Sequence, residues 1–392
     1  MLTKADRKKK RVSQTISAEA PLRADEFLTL ENSLATRHMP KELAAQASTR
    51  RVTIHMPGND FERSKFIKSP EAPSAWEFAL PMGAGLVQPG RKGGRLSIAE
   101  VKRGIKASIH TEPFQPAWVD YMPHPKIGSR AQQFMRRIKG QWVRPDYGVF
   151  GTDDRQVYYP SGYPWICIGR IFVWNDFSKP NYAWSGSGVL VGGRVVLTAG
   201  HMAPWGSSNW AMQFVPAYYD GSSVLGAGVS SWVSDYWGYN TGNQVSAWDM
   251  AVLRLYTPLG NSYGYFGAQT YDSGWEGGNY WTLAGYPSMI AGANRPSRQM
   301  WFPIVDDDSD DDADELEYYA DQTAGDSGGP VFGFWDDGPY VVGTASGGEI
   351  DLEGFSYWAG PLFGVWVPED DNVAAGGNAI VNLIRWARSN WP

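Results

Sequence analysis

The sequence lacks the residues that several common classes of protein need. Of its 392 residues one is a cysteine, Cys167, so no disulfide can form within the chain and no cysteine-rich metal site can be built. It contains no run of about 18 apolar residues, which excludes a transmembrane helix. The basic stretch Met1 to Arg11 is followed by Val12-Ser13-Gln14-Thr15 rather than by an apolar run, so we see no standard signal peptide.

Charge is distributed unevenly along the chain. Residues 1–148 hold 26 Lys and Arg against 14 Asp and Glu, a net charge of +12, whereas residues 149–392 hold 9 basic and 27 acidic residues, a net charge of −18. Two parts of opposite sign indicate two units that can attract each other, with a boundary near residue 148. Because basic residues are scattered and aromatics are few in the first part, no nucleic-acid partner is expected.

The first part reads as a basic, partly disordered segment, a leader or propeptide. Two short amphipathic helices are expected in it, over 24–34 and 98–105, separated by stretches rich in proline and glycine. From residue 149 the pattern changes to short runs of β-branched and aromatic residues divided by turn residues, which predicts an all-β sandwich or barrel. These runs are 165–173, 187–191, 194–197, 250–255, 280–284, 330–334 and 341–345. A helix is predicted last, over 379–388.

The stretch Gly325-Asp326-Ser327-Gly328-Gly329-Pro330 has little side-chain bulk around its serine. Glycines allow backbone angles that other residues avoid and let a substrate backbone come close. Such a turn can expose a hydroxyl and point successive N–H groups at one place, as an oxyanion hole requires. The alternative is a glycine-rich loop with an incidental serine.

A nucleophilic serine needs a base, and a histidine is the usual one. The chain has five histidines, of which only His201 lies in the acidic, β-rich part; the others are His38, His55, His110 and His124. His201 follows Val195-Val196-Leu197-Thr198-Ala199-Gly200, which places its ring at the end of a strand. A structural histidine at a strand end is the competing interpretation.

The base needs a carboxylate that fixes its tautomer. Asp249 leads directly into the apolar run Met250 to Leu255, where an unpaired charge would be costly. It is therefore the candidate, and a turn residue at a strand start is the alternative.

These three local motifs, in the order His201, Asp249, Ser327, resemble the chymotrypsin-like (trypsin-like) serine peptidases. The start at Val149-Phe150-Gly151-Thr152 and the run Ala284-Gly285-Tyr286-Pro287 are similar to the disulfide-poor branch that includes the glutamyl endopeptidases. The resemblance covers about residues 149–391. It implies two six-stranded antiparallel β-barrels, roughly 149–258 and 270–376, closed by a C-terminal helix.

The resemblance also implies site roles. His201, Asp249 and Ser327 would form the catalytic triad between the barrels, and the N–H groups of Gly325 and Ser327 would form the oxyanion hole. Asp321 would be the acidic floor of the primary pocket and Gly348 would leave its wall open, which implies a basic P1 residue. Ala345 stands where glutamyl-specific members have histidine. No cofactor and no metal are implied.

Asp326 carries a further expectation from the family. Its equivalent in trypsin-like enzymes pairs with an α-amino group freed by cleavage, so cleavage near Gly148-Val149 would make the chain a zymogen. The acidic run 306–315 either lies in a solvated loop, chelates Ca²⁺ or receives the basic segment.

The sequence therefore predicts a serine endopeptidase, residues 149–392, preceded by residues 1–148. A catalytically inactive, protease-like peptide-binding module and a serine esterase are the alternatives. A protein or peptide substrate, a monomer and no membrane partner are expected. The family is mostly secreted, which conflicts with the absence of a visible signal peptide.

Overall fold

The computed structural model describes most of the chain, and β-strands dominate it, as the sequence predicted. The described residues are 19–46, 50–55, 67–68, 75–80, 87–106, 108–130, 136–138, 141–143, 149–150, 153–239, 247–351, 356–358, 364–366 and 369–392.

The elements are numbered in chain order. The strands are β1 (Arg50–His55), β2 (Ile67–Lys68), β3 (Ala75–Leu80), β4 (Lys92–Leu96), β5 (His110–Thr111), β6 (Ile127–Arg130), β7 (Arg136–Ile138), β8 (Gln141–Val143), β9 (Gln156–Tyr158), β10 (Ile168–Trp174), β11 (Trp184–Leu190), β12 (Val195–Thr198), β13 (Ala211–Pro216), β14 (Tyr218–Tyr219), β15 (Ser222–Ser223), β16 (Ser231–Tyr239), β17 (Ala251–Leu255), β18 (Gly267–Gln269), β19 (Trp281–Gly285), β20 (Ser297–Phe302), β21 (Ile304–Asp310), β22 (Ala313–Tyr318), β23 (Pro330–Trp335), β24 (Gly338–Asp351), β25 (Ser356–Trp358), β26 (Gly364–Trp366) and β27 (Glu369–Gly376). The α-helices are α1 (Ala24–Phe27), α2 (Lys41–Gln46), α3 (Ile98–Lys102), α4 (Leu259–Tyr263) and α5 (Gly377–Asn390).

Six antiparallel strands between residues 168 and 255 close into a barrel. Their order is β13-β10-β11-β12-β17-β16, and β16 pairs back with β13. The consecutive residues Val195, Val196 and Leu197 of β12 are all fully buried, which explains the continuous apolar run in the sequence. Both faces of this central strand are thus covered, one of them by the barrel interior.

The second sheet has eleven strands, of which eight follow the first barrel in the chain and three, β5, β6 and β9, precede it. Its main path is β21-β22-β27-β24-β23-β19-β20-β9-β6, with β18 and β5 attached beside β24. The predicted first barrel, 149–258, includes residues 156–158, which is wrong because β9 pairs with β20 of the second sheet. The predicted all-β class with a C-terminal helix is otherwise confirmed.

The C-terminal helix α5 extends the predicted 379–388 by two residues at each end. Its apolar side chains Ile380, Leu383 and Ile384 are fully buried, so the helix packs with one face on the core, where it contacts β12, β17 and β22. Among the described residues, no helix has the length and apolar character needed to cross a bilayer.

Residues before the predicted boundary at 148 contribute strands to both sheets. Strand β4 runs parallel to β16, β5 is antiparallel to β18, and β6 is antiparallel to β9. Val101 of α3 is fully buried and Phe27 of α1 is 3% exposed. The parts of this segment that carry β4, β5, β6, α1 and α3 are therefore folded onto residues 149–392, the protease-like part, whereas β1–β3 and β7–β8 form two separate small sheets. The domain boundary stays a prediction.

The acidic run 306–315 forms a β-hairpin rather than the predicted loop. Strands β21 and β22 pair over it, and β22 also pairs with β27, so the backbone is held in a sheet despite the low β-propensity of aspartate. Lys102 of α3 forms an ion pair with Asp312 at the tip. The basic segment thus contacts the acidic run, one of the three expectations for it.

Candidate active site

His201 lies directly after β12, at one edge of the first barrel. Residues Gly200–Met202 form a single 3₁₀ turn there, and the His201 side chain is 33% exposed. Strand β12 is antiparallel to β17 with Thr198 opposite Ala251. Because His201 follows one of these paired residues and Asp249 precedes the other, both side chains leave the barrel at the same edge.

Asp249 is buried, and its side chain is only 2% exposed. Its Oδ2 accepts a hydrogen bond from His201 Nδ1 at 2.7 Å, and its Oδ1 accepts one from the His201 backbone N–H at 2.7 Å. A carboxylate held in this way fixes the imidazole tautomer that carries its proton on Nδ1 and leaves Nε2 free to accept one. The structure therefore brings the predicted base and orienter together.

A third group contacts the same carboxylate. Ser346, on β24, is 3% exposed and donates its hydroxyl to Asp249 Oδ2. Ala345 and Gly348 on the same strand are among the predicted site residues, whereas this serine is not. A hydroxyl on the strand after the serine loop, in a run otherwise made of small residues, was the signal that could have identified it.

The loop that carries Ser327 is anchored to the first barrel by Ser187 of β11. The Ser187 N–H donates to the Ser327 carbonyl at 2.8 Å, and its hydroxyl donates to the Gly325 carbonyl at 2.7 Å. Ser187 also accepts the Tyr286 N–H at 2.8 Å and is fully buried. This residue, which the sequence analysis did not single out, joins the two sheets at the site.

Two glycines of the loop are required by their surroundings. Gly328 has a φ of +82°, and a Cβ atom at this position would lie 2.1 Å from Thr198 Oγ1. Gly325 has a φ of +104°, and a Cβ atom there would lie 2.4 Å from the Tyr286 carbonyl oxygen. Left-handed backbone and such close contacts both favour glycine. The contact of Gly328 with Thr198 also places Ser327 beside the strand end that leads to His201.

Ser327 is partly exposed at this edge, as a nucleophile must be. Within the described part of the chain its hydroxyl makes no hydrogen bond to His201, and the N–H groups of Gly325 and Ser327 have no partner. A catalytic Ser–His hydrogen bond is often long in the absence of substrate. An oxyanion hole needs free hydrogen-bond donors beside the nucleophile, and these two N–H groups are such donors.

The predicted pocket residues have different surroundings. Asp321 is 1% exposed, and its carboxylate accepts the N–H groups of Phe150 at 2.9 Å and Asp154 at 2.8 Å. Burial raises its pKa, and these two hydrogen bonds oppose the rise. Ala345 is fully buried and pairs with the serine loop through Gly328 and Gly329. Gly348 lies on β24 opposite Asn372 of β27.

Asp326, next to Ser327, is paired with a buried arginine. Arg155 donates from Nη1 to Asp326 Oδ2 at 3.1 Å and to Thr323 Oγ1 at 2.8 Å, and it binds Asp153 from Nε and Nη2 at 3.0 and 2.8 Å. Burial raises the pKa of Asp326 to about 6, although the Arg155 charge acts against the rise. The family resemblance implies an α-amino group as the partner of Asp326, and Arg155 is not among the predicted site residues.

One group of acids in the described residues could hold a metal ion. Carboxylate oxygens of Glu276, Asp306 and Asp307 lie within 4.8 Å of one another, on and beside the acidic hairpin. They belong to the second sheet and to the run for which calcium was one of the expectations.

The part of the chain that carries the predicted catalytic residues is similar to a known family of proteins. Residues 175–355, which include His201, Asp249 and Ser327, match the family model described as Trypsin. No match is found among curated proteins. The match confirms the resemblance of this part of the chain to the chymotrypsin-like (trypsin-like) serine peptidases. The family is one of serine proteases, and its fold supports a proteolytic function.

Several solved structures are similar to parts of the chain. A Glu endopeptidase in complex with MPD has 20% identity and a TM-score of 0.45, covering 62% of this chain and 99% of its own. The protease Anisep from Arthrobacter nicotinovorans has 20% identity and a TM-score of 0.41, covering 60% and 99%. The thermostable serine protease AL20 from an extremophilic microorganism has 18% identity and a TM-score of 0.40, covering 57% and 97%.

Proposed function

We propose that this chain is a serine endopeptidase that works through a His201–Asp249–Ser327 triad and an acyl-enzyme intermediate. The observation that carries the proposal is the pair of 2.7 Å hydrogen bonds from His201 to the buried Asp249, at the barrel edge against which the Ser327 loop packs. A buried carboxylate bound to Nδ1 leaves Nε2 free to accept a proton from the serine.

The reaction proceeds in two halves. The Ser327 hydroxyl oxygen attacks the carbonyl carbon of the scissile peptide bond while His201 Nε2 accepts the hydroxyl proton. Collapse of the tetrahedral intermediate breaks the C–N bond, and His201 returns the proton to the leaving amine. A water molecule then attacks the acyl-enzyme carbonyl and gives a proton to His201. Collapse of the second tetrahedral intermediate breaks the ester C–O bond, His201 returns the proton to the Ser327 oxygen, and the carboxylic acid is released.

Charge develops on the carbonyl oxygen in both tetrahedral intermediates. The N–H groups of Gly325 and Ser327 would donate to it, each contributing about 3 kcal/mol to the lowering of the barrier. Asp249 stabilises the imidazolium that forms when His201 takes the proton. Ser346 supports this step by donating to the same carboxylate oxygen.

The substrate is proposed to be a protein or peptide, with its P1 residue still a prediction. A basic P1 residue was expected from Asp321. Both oxygens of this carboxylate already accept backbone hydrogen bonds from residues 150 and 154, which is an argument against direct binding of a cationic side chain there. A cleavage profile on a peptide library would identify the P1 residue.

Replacement of Ser327 by alanine tests the proposed nucleophile. We expect wild-type protein to be labelled by a fluorophosphonate, which transfers its phosphonyl group to the serine oxygen with loss of fluoride. We expect Ser327→Ala to lose labelling and to lower kcat by roughly 10⁴-fold or more. Ser389, which is exposed near the end of α5, provides the matched control, because Ser389→Ala should keep both the labelling and the kcat of the wild type.

Two results would contradict the proposal. Labelling that persists in Ser327→Ala would identify another nucleophile. A wild-type protein that binds peptides but neither cleaves them nor reacts with the probe would favour the peptide-binding module.

The prediction of a zymogen belongs to this proposal and has its own test. N-terminal sequencing of active material should find a terminus near Val149 if an α-amino group activates the enzyme. An intact Met1 terminus on fully active protein would exclude such activation. The Arg155–Asp326 pair supports the second outcome, because Asp326 already has a cationic partner.

A further inference from the structure

The segment before the protease-like part reaches the neighbourhood of the proposed base. Strand β4 lies outside the closed barrel and pairs in parallel with β16, with Arg95 opposite Gly238. Its entry is held by backbone hydrogen bonds from Gly90 to Trp210 at 3.0 Å and from Arg91 to Ser234 at 2.7 Å. Strand β4 is therefore fixed to the barrel independently of any single side chain.

Arg95 contacts the barrel through an aromatic ring. Its guanidinium carbon lies 4.1 Å from the centroid of the Trp205 ring, and its Nη1 donates to the Tyr239 carbonyl at 3.2 Å. A guanidinium at this distance from an indole face is attracted by the ring quadrupole. The two contacts restrict both the arginine and the orientation of the indole.

The indole in turn holds the peptide unit of the proposed catalytic histidine. Trp205 Nε1 donates to the Gly200 carbonyl at 2.7 Å, and the N–H of the same peptide unit, on His201, donates to Asp249 Oδ1 at 2.7 Å. The Gly200–His201 peptide is thus bound on one side by an indole and on the other by the triad carboxylate.

We propose that Arg95 is a positioning residue for His201 and acts through Trp205 on the Gly200–His201 peptide. The inference rests on the proposed function, since it concerns the base of that reaction. It implies that the N-terminal segment is a working part of the enzyme. Loss of the cation would let the indole rotate away from the Gly200 carbonyl and broaden the range of imidazole orientations.

Three variants test the role of the cation. Arg95→Met keeps the aliphatic stem and removes the charge, and we expect kcat on a small acyl ester to fall about 5- to 30-fold with KM changed less than about twofold. Arg95→Lys keeps a cation and should restore much of the loss. Arg91→Met is the matched control. Arg91 lies in the same segment, but its guanidinium carbon lies over a different ring, 5.0 Å from the centroid of Tyr256.

A spectroscopic measurement separates this proposal from the proposed function. The proton between His201 Nδ1 and Asp249 Oδ2 should give a low-field ¹H NMR signal in wild type. We expect the signal to broaden in Arg95→Met and to remain in Arg91→Met and Arg95→Lys. The signal does not require turnover, so it tests Arg95 even if the wild-type protein proves inactive.

Specific results would overturn the role of Arg95. These are an Arg95→Met variant with wild-type kcat and an unchanged signal, or equal losses in Arg95→Met and Arg91→Met. If Arg95→Met does not fold, Arg95→Gln, which also lacks the charge, takes its place beside Arg95→Lys and Arg91→Met. Wild-type kcat and an unchanged signal in Arg95→Gln would then confine Arg95 to a structural role.

Discussion

Arg155 shows how a single buried side chain connects the start of the protease-like part to the serine loop. Its side chain is 3% exposed and forms ion pairs with both Asp153 and Asp326. Burial alone would lower the pKa of Arg155, but the hydrogen bond to Asp153 and the charges of both acids outweigh it and raise the pKa. Arg155 thus stays charged and holds the residue that precedes Ser327.

Removal of this charge should destabilise the fold. Arg155→Met leaves two buried carboxylates without their cation, and we expect the free energy of unfolding to fall by about 3–5 kcal/mol. Arg295→Met is the matched control, because its pair with Asp220 is 42% and 47% exposed, and screening by solvent should make the loss of this pair much less costly. Urea unfolding at neutral pH measures both. Equal effects of the two substitutions would show that the buried pairing adds nothing.

The raised pKa of Asp326 predicts a pH dependence of stability. In the unfolded chain the carboxyl has its ordinary pKa of 3.8, and in the folded protein it has a pKa of about 6. Between these two pH values the carboxyl keeps its proton in the folded state but has released it in the unfolded state. The contribution of Asp326 to the free energy of unfolding is therefore largest below pH 4 and falls as the pH rises to about 6. This decrease in the free energy of unfolding amounts to about 3 kcal/mol, because each unit of difference between the two pKa values corresponds to about 1.4 kcal/mol.

Asp326→Asn isolates this contribution from those of the other acids. The other acids are the same in both proteins, so the difference in unfolding free energy between wild type and Asp326→Asn should decrease from pH 4 to pH 6. It should be level above pH 7. A difference that is constant or rises over this range would refute the raised pKa.

At the scale of elements, the sequence predicted those strands whose apolar residues are consecutive and buried. Strands β12, β17, β19 and β23 lie where the runs of Val, Leu, Ile and aromatic residues predicted them, within one or two residues. The three motif residues could be predicted for the same reason, since they follow or precede such runs. Local composition was sufficient wherever burial alone determines the element.

Several other elements depend on partners distant in the chain. Strand β4 contains two glycines, and it exists because β16, over 130 residues later, supplies its hydrogen bonds. The acidic hairpin likewise depends on β27. Ser187, Ser346 and Arg155 have ordinary local contexts, and their importance comes from contacts 97 to 171 residues away. Patterns read within a short window do not contain that information.

At the scale of the whole molecule, the described N-terminal segment is shared between the two sheets. Trp165 of the protease-like part donates its indole N–H to the Met122 carbonyl at 2.9 Å, and Trp118 donates to the Ser262 carbonyl at 2.8 Å. With β4, β5 and β6 these contacts bind the segment at several separate places. Cleavage near Gly148–Val149 would therefore cut the chain without releasing the segment.

A cleavable sequence engineered at residues 144–148 tests this arrangement. After cleavage we expect the two fragments to co-elute in native size-exclusion chromatography, to keep esterase activity and to separate in concentrated guanidinium chloride. Gly93→Val should weaken the association, because a Cβ there would lie 2.2 Å from Cζ of the Tyr236 ring. An N-terminal fragment that elutes alone under native conditions would identify it as a removable propeptide.

Cys167 has a practical consequence for studying such a molecule. It is fully buried, its Sγ lies 3.8 Å from the Tyr263 carbonyl oxygen, and burial raises the pKa of its thiol well above the ordinary value. A thiol reagent can reach it only when the surrounding structure opens, so the rate of alkylation reports the frequency of opening. Because the sequence has no other thiol, alkylation modifies one residue only. Mass spectrometry can follow this modification over time, and its rate measures how often the interior opens.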